Sequence, residues 1–278
     1  MTTYVLLIAC ADRKGLIHKI TGILYDHDLN IISNGEFVEK ETNSFFMRTE
    51  FSGEIETSSL TDSLRAVLPE TAYIRLIEQK KKDIIVMATR ESHCLGDLLM
   101  RHYSQSLPVV IRAVISNYDR LQELTEKFQI DYHYVSHEGC SREEHEARVS
   151  AVVDRYAPDY LVLAKYMRIL SPVLIRRFEN RIINIHHSFL PAFIGAKPYE
   201  KAYARGVKII GATAHFVNDN LDEGPIIAQG VIPVSHSHSA RDMAQAGKDV
   251  EKTVLAKALK LVAEDRVFVS GNKTIIFD

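Results

Sequence analysis

The chain has 278 residues, 46% of them hydrophobic, with 34 basic side chains against 36 acidic ones. That length exceeds what one ordinary core holds, so two domains are expected. The near-balance of charge excludes the basic footprint of a nucleic-acid binder and the basic patch of a membrane-surface protein, which leaves small molecules as expected partners.

Cys10, Cys94 and Cys140 are odd in number and lie in unrelated contexts, which fits a reducing compartment better than a disulfide framework. With no signal-peptide pattern and no apolar run long enough to span a bilayer, a cytoplasmic protein is expected.

In chain order, "YVLLIAC" reads as a buried strand, "LIHKITGILYDHD" as a helix, "NIISNGEFVEK" and "SFFMRTEF" as strands, residues 58–67 as a helix and "AYIRLIE" as a strand. This β-α-β-β-α-β order makes a complete small α+β domain over residues 1–80. Lys80, Lys81 and Lys82 form a solvated break, and a second domain runs over residues 83–278. It alternates strand "DIIVMAT", helix 94–103, strand "VVIRAVISN", helix "RLQELTEKF", strand "DYHYVSH", helix 143–156 and strand "YLVLAKY". A helix at 172–178, strand "RIINIHH", a helix at 199–205, strands "IGATAHFV" and "PIIAQGVIPV", a long helix from Ser239 and a terminal hairpin "RVFV"/"TIIF" complete it. The alternation predicts the α/β class, a mainly parallel, Rossmann-like sheet with ligands at the carboxyl ends of its strands.

The segment "NIHHS" falls at such an end. In an extended chain Asn184 and His186 share one face, while Ile185 and His187 take the other, so the histidine doublet is no chelating pair. An amide donor beside an imidazole suits an oxyanion and a proton transfer; equally, the pair fits a strand end whose polar groups bond to loops. Downstream, "GATAHFVNDNLDEGPII" offers Asp219, Asp222 and Glu223 in a loop, either solvated or reaching His186. His215 reads as a partner of the site or as a satisfied core histidine. His236 and His238 in "SHSHS" would share a strand face, but no further ligand stands at a completing spacing, so no metal is expected.

"NIHHSFLPAF", "YMRILSP" and "GATAHFVNDNLDEGPII" resemble the motifs of the folate-dependent formyltransferase fold, over about residues 83–233. The resemblance implies Asn184, His186 and Asp222 as a catalytic set. It implies a pterin pocket from Met167, Arg168, Ile169 and Leu170 with Val217 and Asn218, and His215 and His187 beside it. Residues 3–78, through "DRKGLIHKIT" and "HDLNIISNG", resemble an ACT module. That likeness implies an amino-acid effector and pairing into a homo-oligomer; where Asp12 to Gly15 opens the first helix its N–H groups suit an amino-acid carboxylate, with Leu16, Asn30 and the turn Asn34-Gly35 completing the expected pocket. The bland alternative is that Asp12 caps the first helix and Gly15 relaxes a turn.

The two modules together resemble the hydrolytic branch of the family, which implies 10-formyltetrahydrofolate as substrate, formate and tetrahydrofolate as products, and no cofactor. Transferases of the family that act on a phosphorylated amine have a glycine-rich turn after the first strand. Here that turn is Thr89-Arg90-Glu91-Ser92-His93-Cys94, with no glycine and an added carboxylate. Water is therefore the expected acceptor, with transfer to an amine, or a non-catalytic amino-acid or folate sensor, as the alternatives.

Overall fold

The computed structural model describes residues 2–191 and 198–278; the last two residues of the "NIHHSFLPAF" motif lie outside them. The chain divides into two compact units, one of residues 1–80 with Phe277 and one of residues 81–276 with Asp278.

The first unit runs β1 (Thr3–Ala11), α1 (Leu16–Asp26), β2 (Asn30–Glu39), β3 (Ser44–Ser52), α2 (Thr57–Val67) and β4 (Tyr73–Glu78), the expected order. Its sheet is antiparallel throughout, ordered β2-β3-β1-β4. Alternation along β1 and β3 sends Leu6, Ile8, Phe45 and Met47 to one face, where Leu16, Ile20 and Leu24 of α1 and Leu60 and Leu64 of α2 cover them. One expectation fails here: Asn34-Gly35 is no turn but lies inside β2, opposite Thr49 and Arg48. The long ladder with β3 outweighs the local turn preference of the Asn-Gly pair.

The second unit begins with β5 (Lys82–Ala88), α3 (His93–Tyr103), β6 (Val109–Ser116), α4 (Gln122–Glu126), β7 (Asp131–Tyr134), α5 (Arg142–Tyr156) and β8 (Tyr160–Leu163). It continues through α6 (Pro172–Arg177), β9 (Ile182–His186), α7 (Pro198–Arg205), β10 (Ile209–Phe216), β11 (Ile226–Pro233), α8 (Ala240–Ala263), β12 (Val267–Ser270) and β13 (Lys273–Ile276). The main sheet is ordered β11-β10-β9-β8-β5-β6-β7. Strands β9, β8, β5, β6 and β7 run parallel, and β10 and β11 are added antiparallel at one edge.

Consecutive residues of β5 serve opposite cores, as a sheet covered on both faces requires. Ile84, Val86 and Ala88 pack with Leu255, Leu259 and Val262 of α8, while Ile85 and Met87 pack with Val149 and Val153 of α5 and Leu174 of α6. Sequence caps start these helices: Ser141 and Ser239 form capping boxes with Glu144 and Asp242, and Ser171 caps α6 ahead of Pro172. The expected solvated break fails at Lys82, which is buried in β5 and paired with buried Asp265 at 2.8 Å. His236 and His238 lie in a turn between β11 and α8, where His238 Nδ1 accepts from the Ser235 amide, and so do not share a strand face. Among the described residues no helix is long and apolar enough to cross a membrane.

Leu255 is fully buried between α8 and the sheet. Leu255→Ala is expected to cost about 2–5 kcal/mol, read as an earlier urea transition of the second unit.

Candidate active site

The pairing of β9 with β10 brings the polar side chains together. His215 stands directly opposite Asn184 in the ladder, and Thr213 opposite His186. Cross-strand partners share a face, and Asn184 Nδ2 lies 3.2 Å from His215 Nε2. His215 Nδ1 donates to the carbonyl oxygen of Phe216 at 2.8 Å, so Nε2 carries the lone pair that accepts one amide hydrogen of Asn184. Among the described residues no other side-chain bond of Asn184 is present.

The loop after β10 supplies the carboxylate. Phe216 N–H donates to Pro225 O at 2.9 Å, closing the loop on the strand end. Gly224 is required there, because a Cβ would lie 1.8 Å from the Phe216 carbonyl oxygen. Asp222, at φ 58°, places Oδ1 3.1 Å from His186 Nδ1 and 3.7 Å from His215 Nε2. The first is a hydrogen bond; the second is too long for one. The hydrogen bond from His186 outweighs burial and holds the Asp222 carboxyl far below the usual carboxylate range. With Nδ1–H donated to Asp222, His186 presents Nε2, which is buried and has no hydrogen-bond partner among the described residues.

Asn184, His186, Asp222, His187 and His215 line one cavity of about 540 Å³ with Met167, Arg168, Ile169, Leu170, Val217 and Asn218. Asn184 and His186 share a face, as expected, opposite Ile183 and Ile185, which pack in the core under α8. His187 departs from the expectation that it faces away: β9 ends at His186, and the His187 ring stacks on that of His186 at 4.8 Å and 14°. Strand alternation holds only while the chain is extended.

Several residues had no sequence signal. Arg142, the first residue of α5, donates to the carbonyl oxygens of Ile169 and Leu170 at 3.0 and 2.9 Å, and Glu146, one turn on, accepts from Ser171 N at 2.8 Å. Together they clamp the irregular segment that forms the cavity rim, where Met167 and Ile169 are exposed. His93, Cys94 and Glu251 bring ligand atoms within 4.8 Å of one another. Lys165 Nζ is 3.3 Å from Glu251, however, and burial pushes the Cys94 thiol well above its ordinary value, a set suited to a proton network rather than a dication. In the glycine-free turn after β5, the Arg90 guanidinium stacks 4.1 Å over Tyr118, and Glu91 faces His93 Nδ1 and Lys248, each at 3.5 Å.

In the first unit the residues expected to form an effector pocket are dispersed in role. Gly15 takes φ 90° at the start of α1, and no side chain caps that helix, so Asp12 is not its cap. The Asp12 amide instead donates to Asn43 O at 2.8 Å. Leu16 is buried in the core, Asn30 is exposed, and Asn34 accepts from Thr49 Oγ1 at 2.6 Å while donating to Glu36.

Residues 82–259 match the formyl transferase family model, which makes this mixed-sheet unit a member of that class of α/β protein, and residues 4–69 match that of the ACT domain. The chain is 56% identical over 272 residues to the formyltetrahydrofolate deformylase of Haemophilus influenzae, covering 98% of each. The crystal structure of a formyltetrahydrofolate deformylase from Pseudomonas syringae superposes with a TM-score of 0.95 at 42% identity, covering 100% of this chain and 95% of that one. A glycinamide ribonucleotide transformylase from Symbiobacterium toebii reaches a TM-score of 0.68 at 30% identity, covering 71% of this chain and 94% of its own. The chain belongs to the formyltetrahydrofolate deformylase family.

The depressed Asp222 pKa fixes a sign. A carboxylate whose folded pKa lies below its unfolded value stabilises the fold above the unfolded pKa, and that stability is lost as pH falls through the folded one. The stability gap between wild type and Asp222→Asn is therefore expected to narrow as pH drops below about 4, measured by urea unfolding at stepped pH; a constant gap would contradict the pairing.

Proposed function

We propose that this chain hydrolyses 10-formyltetrahydrofolate to formate and tetrahydrofolate at the Asn184, His186, Asp222 cluster. The observation that carries the reading is the 3.1 Å pair of Asp222 with His186 in a cavity that Asn184 also lines. The near-full-length similarity to deformylases supports it.

In this reading the pterin end lies against the backbone of residues 168–170 and the 217–222 loop, and the formyl group meets Asn184. Water attacks the formyl carbon. Asn184 donates its second amide hydrogen to the oxygen as charge develops there, a stabilisation that acts mainly in the transition state. His186 Nε2 takes the proton from water and returns it to N10 as the C–N10 bond breaks. Asp222 accepts the His186 Nδ1–H bond, holds the imidazole ring in place and stabilises its cation. His187, stacked on His186, limits how that ring can turn.

Residues 1–80 are the regulatory module in this account and 83–278 the catalytic one. An ACT domain points to a small-molecule effector, and we take it to be an amino acid drawing on or supplying one-carbon units, bound in a homo-oligomer. The free cysteines fit a cytoplasmic setting.

Formate is expected from 10-formyltetrahydrofolate without any acceptor, at a rate unchanged by glycinamide ribonucleotide; formylated product in place of formate would mean transfer. Asn184→Ala is expected to lower kcat by ~10²–10³ with the fold intact by circular dichroism. Among amino acids, at least one is expected to raise the melting temperature of the full chain and to change its rate; no response to any would remove the effector assignment.

A further inference from the structure

One wall of the catalytic cavity has no part in the steps above. Lys165 lines the cavity with Asn184, His186 and Asp222, yet it is only 6% exposed. Its Nζ lies 3.3 Å from Glu251 Oε2; His93 Nε2 reaches the same oxygen at 2.7 Å, and Tyr199 donates to Oε1 at 2.9 Å. Glu251 is 1% exposed, and both of its oxygens are satisfied from within the chain. Separate elements supply the four groups: α3, the segment after β8, α7 and α8. Gly247, one turn before Glu251, lets Tyr199 come close, since a Cβ there would lie 2.0 Å from its hydroxyl.

The Lys165 backbone adds a second observation. Its φ of 64° lies in the left-handed region that glycine enters freely and a long side chain does not. The end of β5 holds it there: Thr89 Oγ1 donates to Lys165 O at 2.7 Å, and Ala164 N–H to Met87 O at 2.8 Å. A lysine kept where the backbone favours glycine points to work done by its side chain.

We infer that Lys165, anchored by Glu251, His93 and Tyr199, closes the catalytic cavity to formyl acceptors larger than water and thereby decides hydrolysis over transfer. The inference rests on the hydrolytic reading above. An amine acceptor must be held within bonding distance of the formyl carbon by polar groups free to receive it. The Lys165 ammonium is paired with Glu251, which does not itself line the cavity, and so is not free to hold an acceptor. Water needs only a void of its own size and a few polar neighbours. In both outcomes the nucleophile bonds to the formyl carbon, the C–N10 bond breaks and N10 takes the nucleophile's proton. The products differ: formate from water, a formamide from an amine.

The test compares wild type with Lys165→Gly on 10-formyltetrahydrofolate, with and without glycinamide or hydroxylamine, by product analysis. Formate from wild type without an amine is the control for the hydrolytic reading; its absence would defeat that reading before the variant is considered. Wild type is expected to give formate alone whichever amine is present. Lys165→Gly, which relieves the backbone and opens the wall, is expected to divert at least a tenth of turnover to the formylated amine. Formate as sole product from the active variant would overturn the inference. So would a folded variant that no longer turns over, since Lys165 would then serve the chemistry rather than exclusion. Should Lys165→Gly not fold, Lys165→Gly/Glu251→Gln, which leaves no unpaired buried carboxylate, carries the same readout; if it too fails to fold, the pair is structural and the inference falls.

Discussion

The site depends on the hydrogen bond between Asp222 and His186. A carboxylate and an imidazole from segments 36 positions apart in the chain meet at 3.1 Å, and the contact is expensive to arrange: the carboxylate leaves water and the loop takes a left-handed residue. Three features of the fold hold it. The antiparallel attachment of β10 to β9 sets His215 opposite Asn184; Gly224 lets the loop close against Phe216; and Thr213 Oγ1 donates to Ser188 O and accepts from Leu190 N, fixing the turn after β9. Without that edge strand a wholly parallel sheet would leave His186 with no carboxylate to orient it.

Around this contact the polar groups have separate duties. His215 uses Nδ1 on Phe216 and Nε2 on Asn184, so it orients the amide. His186 uses Nδ1 on Asp222, and its Nε2 has no partner among the described residues. A buried nitrogen without a partner is costly in a finished core and useful in a site awaiting substrate. Lys165, which also lines the cavity, is paired with Glu251.

How much of this was legible in the sequence follows from what sequence patterns encode. Period-two alternation in "RIINIHH" correctly puts Asn184 and His186 on one face, and the strand-helix alternation gives the sheet class, because both patterns are local. The same alternation misplaces His187, since the strand stops one residue earlier. The Asn34-Gly35 pair reads as a turn but is overruled by its ladder to β3, and Lys82 reads as solvated but is paired with Asp265, 183 positions away. Lys165, Glu251, His93 and Tyr199 carry no shared spacing at all. Only the folded chain assembles them, and only the resemblance to formyltransferases singled out Asp222 from its neighbouring acids.

The central claim is that water, activated at this cluster, is the acceptor of the formyl group. Turnover of 10-formyltetrahydrofolate in ¹⁸O-labelled water, with mass analysis of the formate, tests it directly. One labelled oxygen per formate, formed in equal amount to tetrahydrofolate and lost along with turnover in Asp222→Ala, is the predicted result. Formate without label, or labelled formate produced undiminished by Asp222→Ala, would contradict it.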